Sequence, residues 1–322
     1  MRDGRRAELA LDELLADFDT HKISGAAALA TRMSELLGQI AEEASAGGCE
    51  AVTMAIREAS AAVVDRFGGI SPVINGLHAI MSAVESTDPS EWATPEANAR
   101  VELAVAAYVK RIDDGLCAAA LAVGDLVQHG DTILAFTIGE TVLRGLVAAR
   151  SRGKEFVVIV AGQDPAYLER VTCELAREGI RMTVMSDLAL AWGISRSSRV
   201  IVGADAIALD GSILSRIGTR ALAVVARSEA VPFWVAADST KIDLAAETGQ
   251  KLRPRERGKM RLRRDRFPAD TILFAPDFEM TPGSLVTGLI TESGPVCPAD
   301  CHALANTLPK SRRVMELLSM RI

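Results

Sequence analysis

The sequence predicts an all-helical N-terminal part followed by an α/β part built on a parallel sheet. Two observations carry that reading. From Arg5 to about Val127, apolar residues recur at three- and four-residue spacing; after Gly130 they gather into short runs, often β-branched, separated by helical stretches. The first pattern is that of amphipathic helices packed on one another. The second is that of strands buried on both faces beneath covering helices. A chain of 322 residues is long enough for two domains, placed at 1–127 and 128–322.

The helical part reads as LALDELLADF, AAALATRMSELLGQIAEEA, EAVTMAIREASAAVVDRF and the long ANARVELAVAAYVKRIDDGLCAAALAVGDLV. Its breaks fall at Gly47-Gly48, at residues 68–72 and at 86–96, where Gly, Pro, Ser and Asp supply turns and caps. In the second part, strands are expected at TILAF (132–136), FVVIVA (156–161), RMTVMS (181–186), RVIVGA (199–204), FWVAAD (233–238) and TILFAP (271–276). ETVLRGLVAARSRG, PAYLERVTCELAREG, LALAWGIS and GTRALAVVARSEA read as the intervening helices.

Composition excludes several classes. With 49% hydrophobic and 24% charged residues the chain is an ordinary globular protein, and aromatics at 4% leave the core to Ala, Leu, Val and Ile. No apolar stretch reaches the length needed to cross a bilayer, and the charged N-terminus does not read as a signal peptide, so a cytoplasmic protein is expected. Five cysteines, mostly far apart, suit free thiols better than a disulfide framework. Cys297, Cys301 and His302 lack a matching second half-site, so neither a metal nor any other cofactor is expected. Charge is uneven. The stretch 251–266 holds nine basic and two acidic residues, a net +7 in a chain of net −6, which leaves −13 elsewhere. Such a loop suits RNA or an acidic partner, or is a solvated insertion; it lacks the aromatics of a base-stacking platform.

In parallel sheets ligands bind at the carboxyl ends of the strands. Topology alone therefore nominates Thr137, Ile138, Gly139 and Glu140, then Gly162, Gln163 and Asp164, then Ser186 and Asp187, and Gly203, Ala204 and Asp205. In IVGADAIALDGSILSRIGT (201–219) a strand ends in an aspartate, and a helix opens at Gly218-Thr219 whose free N–H groups can hold an anion. A simpler reading leaves the glycines to turns and Asp205 to capping the turn after it.

That stretch resembles the signature of the family uniting the α, β and δ subunits of initiation factor 2B with methylthioribose 1-phosphate and ribose 1,5-bisphosphate isomerases. Members typically show Gly-Ala-Asp, then Asn-Gly, then Ile-Gly-Thr. The likeness continues in AADSTK (236–241), FEMTP (278–282), LVTGLITESG (285–294) and GDTILAFTIGETVLRGL ahead of them, and so covers about 120–294. It implies a Rossmann-like parallel sheet of the sugar-phosphate isomerase type, preceded by a helical domain as in the initiation factor subunits. It also implies a two-fold homodimer and a site for a small phosphorylated metabolite or nucleotide.

In the isomerases of this family a cysteine after the first strand and the aspartate of Gly-Ala-Asp move the protons of aldose–ketose exchange, a task for a positioned acid–base pair. Asp205 matches the aspartate, but the cysteine position falls on Thr137. Cys173, in LERVTCELA, is expected to be packed mid-helix. The arginines that grip phosphate are replaced as well: one falls at Ser24-Gly25, one near Phe67-Gly68 beside Arg66, and one at Asp164. Arginine suits those places because its planar fork holds phosphate bidentately. Candidate ligand contacts are therefore Ser24, Gly25, Gly139, Glu140, Gln163, Asp164, Asp187, Gly203, Ser215, Arg216 and Lys241, with Asp205 and Thr137 as the candidate reactive pair. Thr137-Ile138-Gly139, TVMSD (183–187) and Ile194-Ser195-Arg196 look most like the non-enzymatic β subunits. The resemblance thus implies a binding or regulatory protein, with a sugar-phosphate isomerase using Asp205 as the alternative.

Overall fold

The structure is a computed structural model that describes residues 2–20, 22, 25–85, 94–162, 165–253, 264–274 and 276–320. Five helices come first: α1 (Arg2–Asp19), α2 (Ala26–Ala44), α3 (Cys49–Phe67), α4 (Ser71–Glu85) and α5 (Thr94–Leu126). Leu29, Met33 and Leu37 of α2 face Ile56 and Val63 of α3, Leu77 and Met81 of α4, and Val101 and Tyr108 of α5 in one core. These residues recur at the spacing that singled out the segments. Pro72 lies in the first turn of α4, where its missing N–H costs nothing.

The α/β part contains, in chain order, β1 (Thr132–Phe136), α6 (Glu140–Ser151), β2 (Val157–Ala161), α7 (Pro165–Arg177), β3 (Arg181–Met185), α8 (Leu190–Ile194), β4 (Arg199–Gly203), β5 (Ala206–Ile207), β6 (Ile213–Arg216), α9 (Thr219–Ser228), β7 (Phe233–Ala236), β8 (Phe278–Thr281), β9 (Gly288–Thr291), β10 (Gly294–Val296), α10 (Cys301–Ala305) and α11 (Arg312–Ser319). Seven strands form the main sheet in the order β10-β9-β7-β4-β1-β2-β3, all parallel except β10. A separate antiparallel sheet runs β5-β6-β8. At its amino end the main sheet is tied by an ion pair between half-buried Arg199 and buried Asp131 at 2.9 Å.

Two expectations need correction. The run at 271–276 is not a strand over its described residues: Ile272 and Phe274 are 91% and 82% exposed. The sixth parallel place, beside β7, is filled by β9, which is buried throughout. Pro268 and Pro276 bracket the 271–276 run, and prolines cannot donate to a ladder. Cys173 does lie in α7, but it is exposed rather than packed.

The helical and α/β parts share elements. At 33 residues α5 is about 50 Å long. It contributes Val101, Tyr108 and Ile112 to the helical core, while Val123 near its end packs with Leu146 of α6 and β1. Gly145 of α6 allows that approach, since a Cβ there would meet Val123 at 2.5 Å. From the other end of the chain, Val314 of α11 joins the helical core. The N–H groups at the start of α11 are taken by Glu85 of α4, which accepts from Arg312 (3.2 Å) and Arg313 (3.1 Å). The backbone N–H of Ser311 donates to Nδ1 of buried His78 at 3.0 Å. Burial, then the nearby Lys310 charge, pushes the His78 pKa down to about 4.

Candidate functional site

The strand order marks the switch point at which sheets of this kind open a crevice. From β1 the chain moves outward through β2 to β3, then returns to place β4 on the other side of β1 and continues to β7 and β9. The order reverses between β1 and β4, and a crevice forms at such a switch point, beyond the carboxyl ends of the strands. Phe136 of β1 pairs with Val202 of β4. The residues that follow, Thr137 and Gly203 to Asp205, therefore flank the crevice. The two residues nominated as a reactive pair lie on its opposite sides.

Thr137 has a φ of +45°. A β-branched side chain crowds its own backbone in that region, so the conformation is strained by about 1–3 kcal/mol and persists because its surroundings impose it. The flanking bonds do so here: the Thr137 N–H donates to the Ala161 carbonyl at 3.2 Å, and Tyr167 of α7 donates to the carbonyl of Ile138 at 3.2 Å. Gly139 then caps α6 without a side-chain acceptor, and space around its α-carbon is open. The first amides of α6 have no side-chain cap. Glu140 is exposed and paired with Arg144 at 2.7 Å.

Asp205 is half-buried, and no described residue hydrogen-bonds its carboxylate; its backbone N–H donates to Leu214. The turn that follows is capped by Asp210 instead, which accepts from Ser212 N–H at 2.9 Å and Gly249 N–H at 3.2 Å. Lys241 follows β7, the neighbour of β4, and is half-buried with no ion-pair partner among the described residues. Asp187, half-buried after β3, lies two strands from β1, about 10 Å along the sheet edge. Arg216 stacks on the Phe278 ring, 4.6 Å from its centre. Gly25 caps α2 and accepts from Leu29 within the helical part. Arg66 is held by Asp12 of α1 at 2.6 Å. Ser24, Gln163, Asp164 and residues 254–263 of the basic stretch lie outside the described residues.

At the α9 opening two N–H groups are already engaged. Glu279 of β8 accepts there from Gly218 N–H at 2.5 Å and Arg220 N–H at 3.0 Å. Gly218 is required at this turn: its φ is +102°, and a Cβ would meet the Phe136 ring at 2.9 Å.

Sequence reasoning missed a second layer around β7. Asp238 is buried and accepts from the N–H (3.0 Å) and hydroxyl of Thr240. Glu292 accepts from Ser239 N–H at 2.9 Å, and Arg111 of α5 donates to the Ser239 hydroxyl at 3.1 Å. Asn75 of α4 donates to the carbonyls of Thr240 and Ile242, both at 2.8 Å. These bonds bring the helical part against the loop that carries Lys241. One signal was available: Asn75 interrupts the apolar run PVINGLHAI, and a polar residue among buried neighbours needs partners. Among the described residues no group of three or more His, Cys, Asp or Glu side chains is placed to hold a metal, and no helix is long and apolar enough to cross a membrane. A groove of about 290 Å³ runs between α6 and α7 from Glu140 to Glu178, and another cavity of about 420 Å³ lies near Pro232; neither is lined by Asp205.

Comparisons with known proteins agree with this architecture. The chain is 35% identical over 182 residues to a methylthioribose-1-phosphate isomerase of Desulforudis audaxviator, a match covering 54% of this chain and 52% of that protein. The chain therefore spans about half the length of the isomerase relatives it matches first. A Pyrococcus horikoshii protein named as eIF-2B subunit 2-like is 29% identical over 290 residues, covering 89% of this chain and 96% of its own. A crystal structure of a Pyrococcus horikoshii OT3 translation initiation factor eIF-2B superposes with a TM-score of 0.73 at 26% identity, covering 89% and 96% of the two chains. A structure of 5-methylthioribose 1-phosphate isomerase from the same source shares the fold, with a TM-score of 0.70 at 21% identity and coverage of 96% and 88%. The model of the initiation factor 2 subunit family matches residues 22–298, and the chain belongs to that family.

Proposed function

We propose that this chain is a small-ligand-binding protein of the initiation factor 2B type, with a regulatory rather than catalytic role. The observation that carries the reading lies at the end of β1. Thr137, held in a left-handed conformation, stands where the isomerases of the family use a cysteine. A threonine hydroxyl is far too weak an acid to take a thiol's part in proton transfer, so Asp205 lacks its partner. Glu140 is paired with Arg144 on the exposed side of α6, and Arg66 is engaged by Asp12. In sequence, the eIF-2B-like protein matches 89% of this chain and the first isomerase relative 54%, although an isomerase structure superposes over 96% of it.

In this reading a phosphorylated metabolite or a nucleotide lies across the β1/β4 crevice. Its anionic group meets the open amino end of α6 and the Lys241 ammonium, and Asp205 accepts a ligand hydroxyl. A cytoplasmic homodimer is part of the proposal, as is an RNA or acidic partner for the basic stretch 251–266. A second reading, an aldose–ketose isomerase using Asp205, is favoured by the 35% identity to an isomerase across the α/β part. A thermal-shift panel of sugar phosphates and nucleotides tests the site. A ligand at 100 times its Kd stabilises by about 2.7 kcal/mol, so at least one compound is expected to raise Tm by a few degrees. A panel without any shift would remove the ligand site from the account.

A further inference from the structure

We infer that Glu279 closes the amino end of α9 to anions and, with Ser215, reserves it for a neutral hydroxyl of the ligand. The inference rests on the small-ligand reading above and makes these two side chains specificity-determining residues within it.

Helix openings beside a sheet's carboxyl edge ordinarily attract phosphate, because their N–H groups are free and the helix end carries partial positive charge. At α9 two of the N–H groups are engaged from within, and a carboxylate already sits at the positive end. The N–H groups of Gly218 and Arg220 converge on Oε1 of Glu279. A second anion would have to displace that carboxylate or sit against it, like charge to like charge.

The rest of the local arrangement suits a hydroxyl. Oε2 of Glu279 receives no hydrogen bond from a described residue. Directly across the ladder, Ser215 of β6 is the partner of Glu279. Residues paired across antiparallel strands share a face, with Cβ atoms about 5 Å apart. Ser215 is 3% exposed, and its hydroxyl has no hydrogen-bond partner. Thr281, two residues along β8 on the same face, is fully buried and likewise unpartnered. Such orphans are uncommon in a packed interior and call for an explanation.

This face packs against the main sheet beneath the ends of β1 and β4. Ile213, next on that face of β6, packs in one core with Phe136 and Val202. Leu214 and Phe278, on the opposite face, belong to a separate cluster. The Phe136 ring that forbids a side chain at Gly218 belongs to the last residue of β1, immediately before Thr137. A carboxylate oxygen without a described donor and an unpartnered hydroxyl thus stand on one face of the β6–β8 ladder. An alcohol is complementary to both: it donates to Glu279 and accepts from Ser215. A sugar hydroxyl fits, and the ligand's phosphate must bind elsewhere.

The test follows the backbone amides of Gly218 and Arg220 by NMR in the isotope-labelled full chain, titrated separately with inorganic phosphate and with D-ribose. Phosphate at millimolar concentration is expected to leave both resonances in place, and ribose to move them. In Glu279→Ala the pattern should invert, with phosphate now moving the amides. If that variant does not fold, Glu279→Gln, which keeps an acceptor for the helix but presents an amide N–H in place of Oε2, is expected to lose the ribose response. Phosphate moving the wild-type amides, or ribose leaving them still, overturns the inference and leaves the small-ligand reading standing. Failure of every phosphorylated ligand to bind anywhere defeats that reading instead, and the titration with inorganic phosphate and ribose still decides the chemistry of the α9 opening.

Discussion

Lowering the pH should unfasten the C-terminal helix through one side chain, His78. Its Nδ1 accepts the Ser311 N–H and its Nε2 is buried without a partner, so the native state holds the ring neutral. The folded pKa of about 4 lies below the ordinary value of 6.5. Between these values the unfolded chain binds a proton that the folded chain refuses. Stability from this group is therefore complete above pH 6.5 and declines as pH falls toward 4. Proton linkage gives a loss of about 0.8 kcal/mol at pH 6, about 2 kcal/mol at pH 5 and roughly 3 kcal/mol once both states are protonated. Carboxylates titrate over the same range, so the measurement is a difference. Urea unfolding of the wild type and of His78→Asn, whose amide oxygen can still accept from Ser311, is compared at pH 7.5, 6 and 5. The wild type should lose about 2 kcal/mol more than the variant between pH 7.5 and 5. Parallel curves would show that the ring takes up a proton in the folded state, and the argument from burial would be wrong.

Other side chains give sharp expectations. Asn75→Ala removes both donors to the Thr240 and Ile242 carbonyls and should cost about 2–4 kcal/mol in denaturant unfolding, with faster amide exchange in residues 238–242. Gly218→Ala combines a left-handed φ with a clash against Phe136 and should cost at least about 2 kcal/mol by the same assay. Asp131→Ala strands the Arg199 charge and should lower stability by about 3 kcal/mol, read as a drop in Tm. Ile272→Ser should change stability by less than about 0.5 kcal/mol, whereas Ile290→Ser in β9 should cost several times more; equal costs would restore the 271–276 strand.

Much of the fold was legible because its elements obey strong periodicities. The helix breaks at Gly47-Gly48 and before Pro72 appear where backbone freedom or a missing N–H dictates them. The first five parallel strands stand where continuous apolar runs stood. The sixth was misplaced because TILFAP is the more apolar run, with four consecutive apolar residues against the two of GLIT, and only tertiary pairing with β7 selects the latter. Thr137 and Asp205 were nominated as site candidates from motif and strand ends, but their placement after the adjacent strands β1 and β4 depends on strand order, which local sequence does not encode. The α9 opening was read as free. Its occupant, Glu279, comes from sixty residues farther along and reaches Gly218 through the β6–β8 pairing. Thr137's strained φ likewise comes from bonds across to β2 and α7 rather than from its own propensity.

The most direct test of the central claim, a ligand site without isomerase chemistry, is to incubate the protein with methylthioribose 1-phosphate and with ribose 1,5-bisphosphate and follow the sugar carbons by NMR. The account expects line broadening or shifts that report binding, weakened in Asp205→Asn, with no ketose formed by either protein. Ketose accumulation by the wild type that disappears in Asp205→Asn would contradict it and establish the isomerase reading in its place.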